Sequence, residues 1–447
     1  MCLIPQAAFK FVVLLCSSWL FHNIIFVNFC FLQSRDRPPI AEIAKTLNVR
    51  SIMEGSIRYA GDRIRVTTQL IDGRTGTDLW SETYDRKFDD IFAIESDIAM
   101  SVANAVGAQF SDEEQARVER ASTTSPAAYA LYLRARSLLG TGNVETREHA
   151  LLDQALELDP KFASALGSMA YLYAGQLINS AGTSASDQAA LEPLIKEYAA
   201  RALALDPQNP PAFQALSNLA AYSWRWAEAR TDALRALESR QVLIPANWFL
   251  SWSGSHEESV RIARRAAALS PLDWTGLWNL GMVLNYAGRY DEAAASLRKG
   301  IEMAPAQPLL HSWLIYTEVA RGDIDAARSE AQLTERLLPE REVIYLLDLA
   351  YCYGRMGDRK NAQRLYDEIK AIAAKQEIGV GGWAIASMAV GDYDEGLRWL
   401  NMGAEKAQRH EIDAGMFSLM NLKLNFTADP ILEQPKFVDV RNRLRGD

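Results

Sequence analysis

Between residues 51 and 88 apolar and polar side chains alternate, whereas from residue 126 onward they recur with the period of a helix. Three segments carry the alternation: SIMEGSIRYA, DRIRVTTQLIDG and TDLWSETYDRKF, separated by turns at Ala60-Gly61-Asp62 and from Asp72-Gly73 to Gly76. They predict a three-stranded meander. On its second strand Ile64, Val66, Thr68 and Leu70 share one face, while Arg63, Arg65, Thr67 and Gln69 share the other, so the arginines are expected in solvent. Ahead of it, after Pro38-Pro39, Ile40, Ile43, Ala44 and Leu47 line one face of a short helix. Behind it Phe92, Ile94, Ile98, Val102 and Val106 predict an amphipathic helix that can cover the sheet.

The helical part has a longer repeat. Pro271, Pro305 and Pro339 lie 34 residues apart, and Gly254, Gly288 and Gly322 each stand 17 residues before one of them. Glycine suits the turn between paired helices, where the backbone needs an angle closed to most residues, and proline ends the second helix. Asp159-Pro160 and Asp206-Pro207 repeat that stop. In the clearest copy Leu277, Leu280, Gly281, Leu284, Ala293, Leu297, Gly300 and Pro305 occupy the apolar or small sites of a tetratricopeptide (TPR) hairpin, which the segment resembles. Hairpins are expected near 129–160, 161–207, 210–241, 240–271, 274–305, 308–339, 342–375 and 377–408, with a loop around Asn179 to Gln188 in the second. The fold class that follows is mainly α, a right-handed TPR superhelical solenoid preceded by a small α/β segment. Side chains one step off the packing seam should line its inner face. Trp278, Asn285, Tyr286, Ser312 and Tyr316 are therefore the candidate protein-binding residues, with packing between hairpins as the alternative role. Trp224, Trp226, Trp248 and Trp252 form a second aromatic group, read as inter-repeat packing or as a binding edge.

The amino-terminal run FVVLLCSSWLFHNIIFVNFCFL, Phe11 to Leu32, is long enough as a helix to cross a bilayer, though His22, Asn23 and Asn28 would be costly among lipid tails. A membrane anchor is the expectation, with membrane association of the whole chain. Alternatives are a signal peptide, for which no small-residue cleavage site follows, a misplaced start, or a buried strand and helix. Lys10 on one side and Arg35 and Arg37 on the other leave the side of the membrane open; without an anchor the chain would be cytoplasmic.

Composition narrows the chemistry. With 49% apolar and 23% charged residues the chain is neither generally disordered nor polytopic in a membrane. A net charge of -9 without a Lys/Arg stripe speaks against nucleic acid as a partner. Cys2, Cys16, Cys30 and Cys352 form no CxxC, and the histidines have no zinc spacing, so no metal or cofactor site is expected. Asp72, Thr75, Thr77 and Asp78 bring oxygens together within seven residues but lack the EF-hand pattern, which favours a polar hairpin turn over a calcium loop. No nucleophile-base pair sits in a motif that would form a cleft, so the chain is read as non-enzymatic.

One further signal is a likeness. The run from Arg50 to Ala99, with Glu54-Gly55-Ser56, Gly61-Asp62-Arg63-Ile64-Arg65-Val66, Gln69-Leu70-Ile71-Asp72 and Leu79-Trp80-Ser81-Glu82, resembles the last part of the TolB amino-terminal-like domain of bacterial TPR proteins. Such domains are often fused to class III adenylate cyclase, winged-helix or kinase domains. The family has an opening strand and helix before this region, whereas here only a few residues separate Leu32 from the short helix, so the resemblance implies a partial module. It implies an accessory sensory or assembly role and carries over no catalytic residue. DPILEQPKFVDVRNRL at Asp429 to Leu444 resembles the terminal phrase of the same bacterial proteins, with Phe437, Val440 and Leu444 placed to cap the array and Arg441, Arg443 and Arg445 in water. The expected organisation is an apolar segment over 1–35, the α/β module over 38–120, the TPR array over 127–408 and a cap over 409–447. The expected function is a scaffold that binds a protein or peptide; the alternative is the regulatory remnant of a cyclase-type or transcriptional signalling protein without its effector.

Overall fold

A computed structural model describes residues 24–26, 39–47, 50–106, 123–138, 145–178, 185–238, 247–252, 254–269, 273–338, 342–411 and 430–445. The chain divides into two compact units. One comprises Met1–Met169, Arg201–Asn209 and Leu237–Val242, and the other Ala170–Ala200, Pro210–Ala236 and Leu243–Asp447.

The first unit opens with β1 (Ile24–Phe26), α1 (Ile40–Leu47), β2 (Ser51–Ala60), β3 (Arg63–Asp72), β4 (Asp78–Lys87) and α2 (Ile91–Ala105). The strands form a sheet in the order β1-β2-β3-β4. Strands β2, β3 and β4 are the antiparallel meander, and β1 adds a short parallel edge through Ile24↔Ser51, Ile25↔Ile52 and Phe26↔Met53. Along β3 the alternation is realised: Ile64, Val66, Thr68 and Leu70 are buried, while Arg63 and Arg65 are exposed and both bond the carboxylate of Asp85 across the strand pair. A Cβ on Gly55 would stand 2.6 Å from the Thr67 carbonyl oxygen, so this strand position needs its glycine. At the β3–β4 turn the Asp72 carboxylate accepts the backbone N–H groups of Arg74 (2.9 Å) and Thr75 (2.8 Å), which makes the Asp72 cluster a hairpin turn. Helix α2 packs on β4 and buries Ile91, Ile94, Ile98 and Val102.

The apolar run from Phe11 to Leu32 requires a correction. Its described residues, Ile24–Phe26, are a β-strand hydrogen-bonded in the sheet, against Ile52 and Met53 that are fully buried. Among the described residues no helix is long and apolar enough to cross a membrane. The expected transmembrane helix, and the membrane association and membrane localisation drawn from it, are overturned on these findings. A continuous apolar run gives the same signature whether it pairs as a parallel strand or forms a spanning helix. The remainder of Phe11–Leu32 lies outside the described residues.

Helices account for the rest: α3 (Pro126–Leu138), α4 (Glu145–Leu158), α5 (Ala163–Ile178), α6 (Ala185–Leu205), α7 (Pro210–Tyr222), α8 (Trp226–Glu238), α9 (Asn247–Trp252), α10 (His256–Leu269), α11 (Trp274–Tyr286), α12 (Tyr290–Met303), α13 (Pro308–Arg321), α14 (Ile324–Leu337), α15 (Val343–Arg355), α16 (Arg359–Ala373), α17 (Val380–Ala389), α18 (Tyr393–Gln408) and α19 (Pro435–Arg445). Consecutive helices pair as α3/α4, α9/α10, α11/α12, α13/α14, α15/α16 and α17/α18, and from α9/α10 to α17/α18 successive pairs stack. The architecture is a TPR-type stacked-helix solenoid preceded by a small β segment. In the first unit Tyr129 of α3 donates to Glu95 of α2 at 3.1 Å, and its ring meets Phe92 at 5.1 Å. The module helix and the first hairpin thereby share a core.

In the second unit the phased glycines do what their spacing demands. Gly254, Gly288, Gly322, Gly357 and Gly391 all have φ between 71° and 90°, left-handed values that cost other residues energy. Asp323, Asp358 and Asp392, each directly after one of these glycines, accept a backbone N–H of the following helix's first turn, as Asp273 does at the start of α11. Gly281 lets α11 and α12 close, since a Cβ there would lie 2.5 Å from Leu297 Cγ. Trp224, Trp226, Trp248 and Trp252 form a run of ring contacts of 5.2–6.3 Å with Trp252 fully buried, which is packing. Trp224 takes the glycine position of its hairpin, with φ 60°. Its indole N–H donates to the Glu411 carbonyl at 3.1 Å, while the Nδ1 of His410 lies 3.2 Å from the Ser223 carbonyl oxygen. After α18, Phe437, Val440 and Leu444 of α19 are buried, and Arg441 and Arg443 are half-buried in ion pairs with Glu433 and Asp439.

Candidate functional site

The first helices of three successive hairpins, α11, α13 and α15, bring together most of the polar and aromatic side chains singled out in the sequence. The 34-residue repeat puts equivalent positions side by side, so a residue on one first helix faces its counterparts on the next. Asn285 is buried, and its amide donates to the Gly281 carbonyl (3.1 Å) and to Thr317 Oγ1 (2.8 Å). That pair is a buried polar link between α11 and α13. Tyr286 is buried, its ring set edge-on to Trp313 at 5.6 Å, and Trp313 in turn meets Tyr316 at 5.9 Å. Trp278 is the partly exposed member of the set, and its indole nitrogen is buried without a partner among the described residues.

Ser312 and Tyr316 are both buried and both point at a residue that sequence reasoning missed. Ser312 Oγ donates to Asp348 Oδ2 at 3.0 Å, and the Tyr316 hydroxyl donates to Asp348 Oδ1. Asp348 belongs to α15 in the run YLLDLAYCY, where one carboxylate stands among apolar residues. It is partly exposed. Desolvation raises its carboxyl from the ordinary 3.8 to about 6, against the opposing effect of the two hydroxyl donors. Its charge is felt around it. Burial and the Asp348 carboxylate push up the phenols of Tyr286 and Tyr316 and the thiol of Cys352. On α7 the hydroxyl of Tyr222 is buried without a partner among the described residues, and its phenol is pushed up by burial and by Tyr286. The one visible signal for Asp348 was an acid inside an apolar first helix.

Two other acids, Glu318 and Glu335, are neutralised by arginines. Glu318, fully buried, takes Arg298 at 2.6 Å and Arg321 at 2.7 Å, and Glu335 takes Arg364 at 2.8 Å. His311 pairs with Glu330 and the Pro305 carbonyl oxygen, and these partners hold its imidazole above its usual range against desolvation. Among the described residues no three His, Cys, Asp or Glu side chains come together as a metal site.

Comparison with known proteins agrees with the repeat and reaches no further than part of the chain. The tetratricopeptide repeat family matches residues 275–307, the α11/α12 hairpin. Putative adenylate cyclase 3 of Rhizobium meliloti (strain 1021) is 35% identical over 158 residues, which are 35% of this chain and 27% of that protein. The chain thus spans about a quarter of the length of that relative. Among solved structures, the human IFIT1 dimer with PPP-AAAA aligns at 16% identity and a TM-score of 0.47, over 79% of this chain and 77% of that one. Pseudomonas aeruginosa pilF aligns at 19% identity and a TM-score of 0.30, over 56% of this chain and 93% of that one.

Proposed function

We propose that this chain is a non-enzymatic scaffold that binds a protein or peptide segment along the first-helix face formed by α11, α13 and α15. The observation that carries the reading is the convergence of Ser312 and Tyr316 on Asp348 across neighbouring hairpins, a polar arrangement in a face that packing alone would fill with apolar side chains. In this reading Trp278 and Asp348 meet the partner, while Asn285, Tyr286, Ser312 and Tyr316 hold the surface in shape from beneath. The test is capture of partners on the immobilised full chain, followed by calorimetry of the tightest one against wild type and Trp278→Ala. A tenfold or greater loss with an unchanged helical spectrum supports the reading, since about 1.4 kcal/mol is what a contact anchor contributes. Unchanged affinity removes Trp278 from the surface.

A second reading takes the chain as a regulatory or sensory part of a cyclase-type or transcriptional signalling assembly. The stretch shared with Putative adenylate cyclase 3 favours it, together with the resemblance of residues 40–110 to the TolB amino-terminal-like domain. The partner would then be a polypeptide bearing an effector domain, and the same capture experiment separates the two readings by what is retrieved.

A further inference from the structure

We infer that Asp348 receives a cationic side chain, the ammonium of lysine or the guanidinium of arginine, from a partner segment lying on α11, α13 and α15; the inference rests on the protein-binding reading above. A carboxylate offers about four acceptor positions, and the structure fills two, one on each oxygen, with the neutral donors Ser312 and Tyr316. Those two bonds fix the plane of the carboxylate and leave the remaining lone pairs free. No basic side chain pairs with it among the described residues, whereas its neighbours Glu318 and Glu335 have their arginines. Asp348 as a residue is itself partly exposed.

The surroundings favour a cation over any other guest. From α11 the carboxylate acts on Tyr286, from α13 on Tyr316, and from α15 on Tyr345 and Cys352, all of them neutral at pH 7 and none able to compensate the charge. Tyr351 and Arg355 also act on this group from α15, the former on Tyr316 and the latter on Cys352. Helix α17, packed against α15, reads VGGWAIASMA and brings no ionisable group. An ionised acid in such a place is costly until a cation joins it, so much of the stabilisation of a bound ammonium or guanidinium comes from relieving that cost. Tyr345, partly exposed and one helical turn before Asp348, supplies a ring for the aliphatic stem and the charge of a lysine or arginine. The chain as a whole carries -9, which draws basic segments from a distance at low ionic strength.

The probe is a set of fluorescent heptapeptide pools with randomised flanks and a fixed central residue: lysine, arginine, citrulline, norleucine or glutamate. Binding to the full chain is read by anisotropy at pH 7.5 and again at pH 5. The lysine or arginine pool should bind at least about tenfold more tightly than the citrulline and norleucine pools, the margin of a charge-assisted bond. Asp348→Asn, which keeps the shape and removes the charge, should abolish that margin while leaving neutral pools unaffected. Ser312→Ala, which keeps the charge and loosens its orientation, should reduce the margin and preserve its sign. At pH 5, below the carboxyl's folded value of about 6, the margin should shrink on wild type. Pools that bind equally whatever their central residue overturn the cation inference and leave the scaffold reading intact. Absence of binding by every pool overturns both, and an unfolded Asp348→Asn by circular dichroism hands the decision to Ser312→Ala and the pH comparison.

Discussion

Asp348 illustrates how a single side chain can work against the fold that holds it. Its carboxyl stands at about 6 in the folded chain against an ordinary 3.8, so the folded state binds its proton more tightly than the unfolded state does. Below pH 3.8 both states are protonated and the residue is neutral in its effect. As pH rises from 3.8 through 6 the unfolded chain ionises first and stability falls; above that window the penalty is constant, on the order of 1–3 kcal/mol. Asp348→Asn removes the ionisation and keeps one acceptor for the two hydroxyls. The expected result is a higher melting temperature than wild type at pH 7.5 and a difference close to zero at pH 3.5, measured by calorimetry. A variant less stable at both pH values would mean that the carboxylate is a structural partner of Ser312 and Tyr316 and nothing more. Stability given up at one polar residue is the usual mark of a site kept for binding.

At the scale of elements, the hairpins depend on small residues where helices approach and on left-handed glycines where they turn. Gly281→Leu would drive a side chain into Leu297, which already stands 2.5 Å from where the first new atom would go. A loss of about 1–3 kcal/mol is expected from such overpacking, read as a lower urea midpoint with the slope unchanged. An unaltered midpoint would place the α11/α12 seam elsewhere. These features were legible in the sequence because each is local: a glycine at the turn, a proline 17 residues on, and small residues at the close approach. Alternation along β3 was legible for the same reason. The strand β1 was not, because an apolar run reads alike for a parallel strand and a spanning helix, and only its pairing with Ser51–Met53 distinguishes them. Asp348 was missed on different grounds. Its partners lie 36 and 32 residues back in the chain, and nothing in YLLDLAYCY marks the convergence. The sequence likewise could separate seam from face but could not give depth, and Asn285, Tyr286, Ser312 and Tyr316 are all buried.

At the scale of the whole molecule, the second unit is tied by a contact between parts 187 residues apart, where Trp224 and Ser223 meet Glu411 and His410. Trp224 and His410 are the non-glycine residues held at positive φ among the described residues, a strained pair that persists because the surrounding packing fixes it. Trp224→Gly relieves the backbone but forfeits a buried indole and its bond, so a net destabilisation of about 2–4 kcal/mol is expected, with faster amide exchange at residues 405–411. Unchanged exchange there would mean that the α18 end does not depend on the contact. The central claim is that the first-helix face of α11, α13 and α15 binds a partner segment, and hydrogen-deuterium exchange of the full chain tests it most directly. The measurement compares the free protein with its complex with the tightest partner captured. The account predicts new protection concentrated in residues 274–286, 308–321 and 343–355, with the sheet of residues 51–87 unchanged; protection confined to the sheet, or to the second helices of the hairpins, would contradict it.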